Sequence, residues 1–304
     1  MNAQSPALIQ IGLLGFGEAG QAFADTLPKD KVALFAYDIV FSSPEEAPAR
    51  YAKMRDCAAQ NQVACCASPA ELAASSKFIF SLVTADDCAA AARAIVSDLT
   101  EHHIFFESNS VSPGTKKTNA ELAEKRGAGF IDMAIMAPVA GRGHATPALL
   151  SGAGEAQLKP ILEMLGFSAR WAGQDIGQAS VTKMLRSILI KGMESLVSES
   201  MAAAVELGLD TEILTTAGKT LRIDDMPALA DYVMERVARH GGRRAAEMRE
   251  VAKTLTELGL SNHMASAIAS HQQMIADMKL ADQHELVEDR SVLAPLFAAG
   301  QRNS

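Results

Sequence analysis

Apolar residues run almost without interruption through residues 7–14, after which Gly15, Gly17 and Gly20 form a glycine-rich turn and residues 21–27 take on a helical pattern. The reading is strand, turn, helix. A second apolar run over 32–37 ends in Asp38, and runs at 77–83, 103–107 and 128–135 supply further strands. Helices fall between them. Ser68-Pro69-Ala70-Glu71 has the form of a capping box with proline in the first helical position, opening a helix that ends before Lys77. Ser112-Pro113 opens another that runs to about Arg126. Strands alternating with helices predict a parallel sheet covered on both faces, so the N-terminal half is α/β.

After about Trp171 the pattern changes. Gly173 and Gly177 break the chain, and from 178 to 207 the only glycine or proline is Gly192, which predicts one helix about 45 Å long. That is longer than a single domain needs. Residues 211–282 continue in a helical pattern punctuated at Pro227, Gly241-Gly242 and Gly259, and the tail beyond Val287 is expected to be short and frayed. The 304 residues leave room for two domains at about 150 residues each.

Composition narrows the function classes. Hydrophobic residues make up 48% and charged residues 21%, enough for a sizeable core. A net charge of -8 is the wrong sign for neutralising phosphate backbones, so nucleic acid is not an expected partner. No uncharged apolar run reaches the about 18 to 20 residues that span a bilayer, and residues 1–6 lack the basic flank of a signal peptide. A cytoplasmic protein with no membrane partner is expected. Cys57, Cys65, Cys66 and Cys88 include no C-x-x-C pair and no histidine at zinc-ligand spacing, so they read as small buried thiols and no metal site is expected.

Two segments carry chemistry. Gly15, Gly17 and Gly20 form G-x-G-x-x-G between a strand and a helix, the arrangement that sets a pyrophosphate on backbone N–H groups at a helix N-terminus. The cofactor site is drawn from Gly15, Phe16, Gly17, Glu18, Ala19 and Gly20, with Val83 and Thr84 at the end of a later strand. Asp38 follows the last glycine by about the distance at which an acidic residue accepts from the adenosine ribose hydroxyls. It favours NAD; Arg50, Lys53 and Arg55 in the next helix leave NADP possible. On the long helix Lys183, Ser187 and Lys191 recur every four residues and share one face. Their neighbours Val181, Met184, Leu185, Ile188, Leu189 and Ile190 are apolar, so the helix is expected to be largely buried. A lysine desolvated in a cleft moves toward a pKa at which it exchanges protons with a substrate hydroxyl; a solvated stripe is the alternative.

Taken together these residues resemble the β-hydroxyacid dehydrogenase superfamily, which includes 3-hydroxyisobutyrate dehydrogenase and 6-phosphogluconate dehydrogenase. Four segments in order carry the resemblance: the turn at 13–20, Ser108-Asn109-Ser110-Val111-Ser112-Pro113, Ala137-Pro138-Val139-Ala140-Gly141-Arg142-Gly143, and Gly173 through Lys183. Ala140 replaces the serine of the family's substrate stretch, and Ser187 stands where an asparagine usually follows the lysine. The segments around Lys183, Arg142 and Thr146-Pro147 are closer to a 6-phosphogluconate dehydrogenase-like branch whose C-terminal domain has no agreed role. In that branch His240 through Met248 takes the place of a K-D-L segment near the active site; a solvated basic face is the other reading.

The resemblance implies an α/β Rossmann-type doubly wound domain over 1–172, an all-α domain over 173–304, and a long helix joining them, in a homodimer or larger homo-oligomer. It implies an NAD(P)-dependent oxidoreductase acting on a small hydroxy acid or the related carbonyl compound between the domains. Lys183 is then the general acid/base and Ser187 orients the lysine or the hydroxyl. Ser110 and Gly141 line the substrate site, and Arg142 or Arg243 pairs with a carboxylate. An imine reductase of the same superfamily and a non-catalytic dinucleotide-binding regulator are the alternatives; Lys183 counts against the first, and Ala140 and Ser187 favour the second.

Overall fold

The computed structural model describes residues 7–283 and 286–302, and residues 1–6, read above for a signal flank, lie outside them. The chain divides into two compact units, Met1–Lys183 and Met184–Ser304.

Eight strands form the sheet of the first unit: β1 (Ile9–Leu14), β2 (Val32–Tyr37), β3 (Val63–Cys65), β4 (Phe78–Ser81), β5 (Ile104–Glu107), β6 (Gly129–Ile135), β7 (Ala148–Ser151) and β8 (Ala169–Gly173). Its helices are α1 (Glu18–Thr26), α2 (Ile39–Ser42), α3 (Pro48–Gln60), α4 (Pro69–Ser75), α5 (Cys88–Val96), α6 (Pro113–Glu124) and α7 (Glu155–Leu165). The spatial order is β3-β2-β1-β4-β5-β6-β7-β8. The first six strands are parallel, and β7 runs antiparallel to β6 with β8 parallel to β7. The expectation of a parallel sheet thus holds for the first six strands and fails at β7. The chain builds outward from β1 in one direction, then returns to place β4 on its other side, so the carboxyl ends of β1 and β4 flank the crevice where such sheets bind ligands.

Both faces are covered, as continuous apolar strands require. One carries Phe23, Phe80, Phe106 and Phe167, with Phe80 stacked at 4.5 Å on Phe106 and at 5.3 Å on Phe167. The other packs Leu72, Ile79, Ile95, Phe105 and Phe130. Local signals behave as their chemistry dictates: Ser68 Oγ accepts from Glu71 N at the head of α4, and Ser112 Oγ from Thr115 N at the head of α6.

Helix α8 (Gln178–Ala204) starts in the first unit and continues into the second, and its 27 residues span about 40 Å. The second unit adds α9 (Asp210–Leu221), α10 (Met226–Glu257), α11 (His263–Asp277), α12 (Leu280–Gln283) and α13 (Arg290–Arg302). Val197, Met201, Val233, Met234, Val237 and Phe297 form its core. The tail does not fray after Val287: α13 buries Leu293, Ala294 and Phe297 completely. The apolar side of α8 is buried only in part: Met184 is buried and Val181 and Ile188 are half-buried. Leu185, Leu189 and Ile190 are exposed, Leu189 by 75%, while Ser187, Lys191 and Glu194 face inward.

Candidate active site

The glycine turn lies at the carboxyl end of β1, where Gly15 N donates to Tyr37 O of the neighbouring strand at 2.8 Å. Gly15 takes φ +98°, and a Cβ there would meet Val83 Cγ1 at 2.8 Å; a Cβ on Gly20 would collide with the Gly15 carbonyl oxygen. Gly17 differs. It is the N-cap of α1, no side chain caps the helix, and nothing lies within 4 Å of where its Cβ would stand. The first-turn N–H groups of α1 are therefore presented to an open space suited to an anion. Gly17→Val should fold but lose most of its NADH affinity, because the added side chain enters that space. Titrating NADH fluorescence checks this, and full affinity in the folded variant would remove the nucleotide from the turn.

Asp38 follows β2 as the N-cap of α2, with its carboxylate turned onto the same turn. Oδ2 accepts from Phe16 N at 2.8 Å and Oδ1 from Val40 N at 3.1 Å, so the carboxylate is 8% exposed and fixed in direction. Arg50 approaches Oδ1 at 4.0 Å from α3, with its own side chain 60% exposed. At the end of β4, Val83 packs beside Gly15, and Thr84 Oγ1 donates to Asp87 Oδ2 at 2.6 Å. The turn, Asp38, Val83 and Thr84 all stand at the carboxyl ends of parallel strands, which is the edge a dinucleotide needs.

The loop after β5 carries Ser110, and Lys183 Nζ in the second turn of α8 donates to Ser110 Oγ at 2.6 Å. Behind this contact lies a polar row that the sequence reading missed. Ser81, Glu107, Asp132 and Ser151 are successive register partners across β4, β5, β6 and β7, and none has any exposure. Lys116 of α6, also fully buried, lies 3.1 Å from Glu107 Oε1 and 3.3 Å from Asp132 Oδ1. Burial disfavours its charged form, but the two carboxylates outweigh that and hold its pKa above the ordinary lysine value. The available signal was a carboxylate closing one apolar run, at Glu107 in F-F-E, and another interrupting a second, at Asp132 in F-I-D-M-A-I.

The remaining residues singled out from the sequence are placed as follows. Gly141 and Arg142 lie exposed on the loop after β6. Ser187 is buried in the second unit and accepts from Lys191 Nζ at 3.3 Å. Lys191 is no solvated stripe: it is 5% exposed and pairs with Glu247 at 2.5 Å. Arg243 is exposed on α10, whereas Arg244 beside it is buried and grips Glu194 through both Nε and Nη2. His240 is held below the ordinary histidine pKa by burial and then by Arg243, Arg236 and Arg244. Burial likewise pushes the Cys66 thiol up to about 11 and the Cys88 thiol up to about 12. Both stay protonated and are poor nucleophiles at neutral pH. Among the described residues no group of three or more His, Cys, Asp or Glu side chains could hold a metal ion, and no helix is long and apolar enough to cross a membrane.

Comparison with known proteins fits this geometry. Residues 10–173 match the family described as the NAD binding domain of 6-phosphogluconate dehydrogenase, and residues 204–275 match a domain of unknown function, DUF1932. The chain is similar to 2-(hydroxymethyl)glutarate dehydrogenase of Eubacterium barkeri, 24% identical over 68% of this chain and 67% of that protein. It is also similar to the mitochondrial 3-hydroxyisobutyrate dehydrogenase of Drosophila melanogaster, 27% identical over 67% of this chain but 60% of that one. A conserved hypothetical protein from Sinorhizobium meliloti 1021 shares the structure, with a TM-score of 0.75 and 31% identity over 97% of this chain and 98% of that one. The open space at Gly17, the fixed carboxylate of Asp38 and the glycine contacts fit a dinucleotide, and the family match extends over that whole sheet. The chain belongs to the β-hydroxyacid dehydrogenase superfamily of NAD(P)-dependent oxidoreductases, with a C-terminal DUF1932 domain.

Proposed function

We propose that the chain oxidises a small hydroxy acid, or reduces the corresponding semialdehyde or keto compound, with Lys183 as general acid/base. The observation that supports this most is the 2.6 Å contact between Lys183 Nζ and Ser110 Oγ on the carboxyl edge of the sheet. The nicotinamide, when bound, supplies the hydride chemistry. In oxidation the neutral amine of Lys183 accepts the proton of the substrate hydroxyl, and in reduction the ammonium returns it. Ser110 aims Nζ through its hydroxyl and offers a second hydrogen bond to substrate. Arg142 or Arg243 is the cation assigned to the substrate carboxylate, for which a guanidinium offers two parallel donors. Ser187 is assigned to orienting the hydroxyl in place of the family's asparagine. A homodimer completes the reading, since the exposed Leu185, Leu189 and Ile190 make an apolar stripe on α8 that suits a second copy.

The test is a screen of hydroxy acids and semialdehydes with NAD and with NADP, following nicotinamide absorbance. Turnover of at least one hydroxy acid is expected. Tight NADH binding without turnover of any compound would instead favour a dinucleotide-binding regulator, and turnover of cyclic imines alone an imine reductase. Within the same screen NAD should give the higher kcat/KM, because the Asp38 carboxylate accepts from free ribose hydroxyls and repels a 2′-phosphate. A higher value with NADP would give that pocket to Arg50, Lys53 or Arg55.

A further inference from the structure

Glu107 and Asp132 are direct register partners on adjacent strands, both with no side-chain exposure. Two carboxylates so placed repel each other, and burying them with Lys116 between them costs desolvation that apolar side chains would avoid. Stability alone gives no reason for the arrangement. Each carboxylate, however, holds a second group. Glu107 Oε1 accepts from Asn109 N at 3.0 Å, and Lys116 Nζ donates to Glu107 O at 2.5 Å, fixing the loop that ends in Ser110. Asp132 Oδ2 accepts from Ser180 N at 3.0 Å and Oδ1 from Ser180 Oγ at 2.7 Å. Ser151 Oγ donates to Asp132 Oδ2 at 3.2 Å and accepts from Ala179 N at 3.1 Å. The first turn of α8 is thus tied to β6 and β7. Ser180 and Lys183 are three residues apart on one helix face, so the azimuth of the lysine follows from the anchor at Ser180.

We propose that Asp132, acting through Ser180, is a positioning residue that sets Lys183 against Ser110, and that Lys116 ties the Ser110 loop to the same anchor. A closed circuit results: Asp132 to Ser180, along one turn of helix to Lys183, across to Ser110, back through Asn109 and Glu107 to Lys116, and on to Asp132. Its bearing on catalysis rests on the reading of Lys183 as the proton-transfer group; the geometry itself is testable without substrate.

Ser180→Ala removes one bond of the anchor and leaves the ion cluster intact, so it should fold. Trace acylation with acetic anhydride, read lysine by lysine by mass spectrometry, should show Lys183 reacting several-fold faster than in wild type. Exposed Lys219 should be unchanged, and fully buried Lys116 should stay protected, which reports that the unit is folded. In the nicotinamide assay kcat should fall about 10- to 100-fold at unchanged NADH affinity, as for a misplaced catalytic group. Ser151→Ala, which frees Ala179 N, should move both readouts in the same direction and serves if Ser180→Ala exposes Lys116. Unchanged labelling of Lys183 in a folded variant overturns the proposal. Increased labelling with unchanged kcat keeps the positioning but removes Lys183 from proton transfer, so that outcome overturns the functional reading alone.

Discussion

Lys183→Ala is expected to lower kcat by about 10²- to 10⁴-fold on the hydroxy acid turned over in the screen, with NADH affinity unchanged. Two features set that expectation. Nζ already lies at hydrogen-bonding distance from Ser110 at the carboxyl edge of the sheet, so the substitution removes the proposed proton carrier from a defined position rather than a distant charge. The residues proposed to hold the cofactor, Gly15 to Gly20 and Asp38, belong to other elements and lose nothing. The control has to be chosen with care. Spacing along α8 makes Lys191 the obvious comparison, but it is buried against Glu247 and Ser187, and truncating it breaks a buried ion pair. Lys117, exposed on α6, is the sound control, and Lys117→Ala should leave kcat within a few-fold of wild type. Activity retained in Lys183→Ala would move the chemistry away from the Ser110 contact.

The strands that sequence reasoning found are those whose apolar runs are long and buried: β1, β2, β4, β5 and β6. It missed β3, three residues with one buried, and β8, whose partly exposed Ala-Arg-Trp-Ala-Gly has neither a continuous nor an alternating pattern, and it missed β7, whose four buried residues stand between Pro147 and Gly152 with no apolar run around them. Antiparallel pairing of β7 was equally invisible, since it depends on the neighbour across the sheet. The face shared by Lys183, Ser187 and Lys191 followed from helical spacing, but its burial did not. Apolar neighbours implied a core on their own side, whereas of these Met184 is buried, Leu185 and Leu189 are exposed, and the polar face is packed. The reason is tertiary: Arg244 reaches Glu194 from fifty residues away, and Glu247 reaches Lys191 from the same helix. The row Ser81, Glu107, Asp132 and Ser151 escaped for a related reason. Ser81, Glu107 and Ser151 are single polar residues at strand ends, the pattern of a solvated terminus, Asp132 is a single polar residue in the middle of β6, and only pairing across four strands joins them.

The charged interior of the helical unit should carry the largest stability effect in the molecule. Glu194 is 2% exposed and receives Arg244 in bidentate fashion, with Arg236 Nε at 3.5 Å as a second cation. Glu194→Ala would leave Arg244, itself 5% exposed, without its carboxylate. Stranding one member of a buried pair costs about 3–5 kcal/mol, so the helical unit should unfold at markedly lower denaturant. Circular dichroism, dominated by helices, should report the shift. Trp171, the single tryptophan, lies in β8, and its fluorescence reports the sheet unit, where the variant changes no contact. The double variant Glu194→Leu/Arg244→Met removes both charges and should be more stable than Glu194→Ala, because the penalty comes from the orphaned guanidinium rather than from loss of attraction. If Glu194→Ala cost less than about 1 kcal/mol, the pair would be behaving as a hydrated surface pair does. Water would then have to reach Arg244 in solution, and the tightly packed polar face of α8 would not survive as the account of this helix.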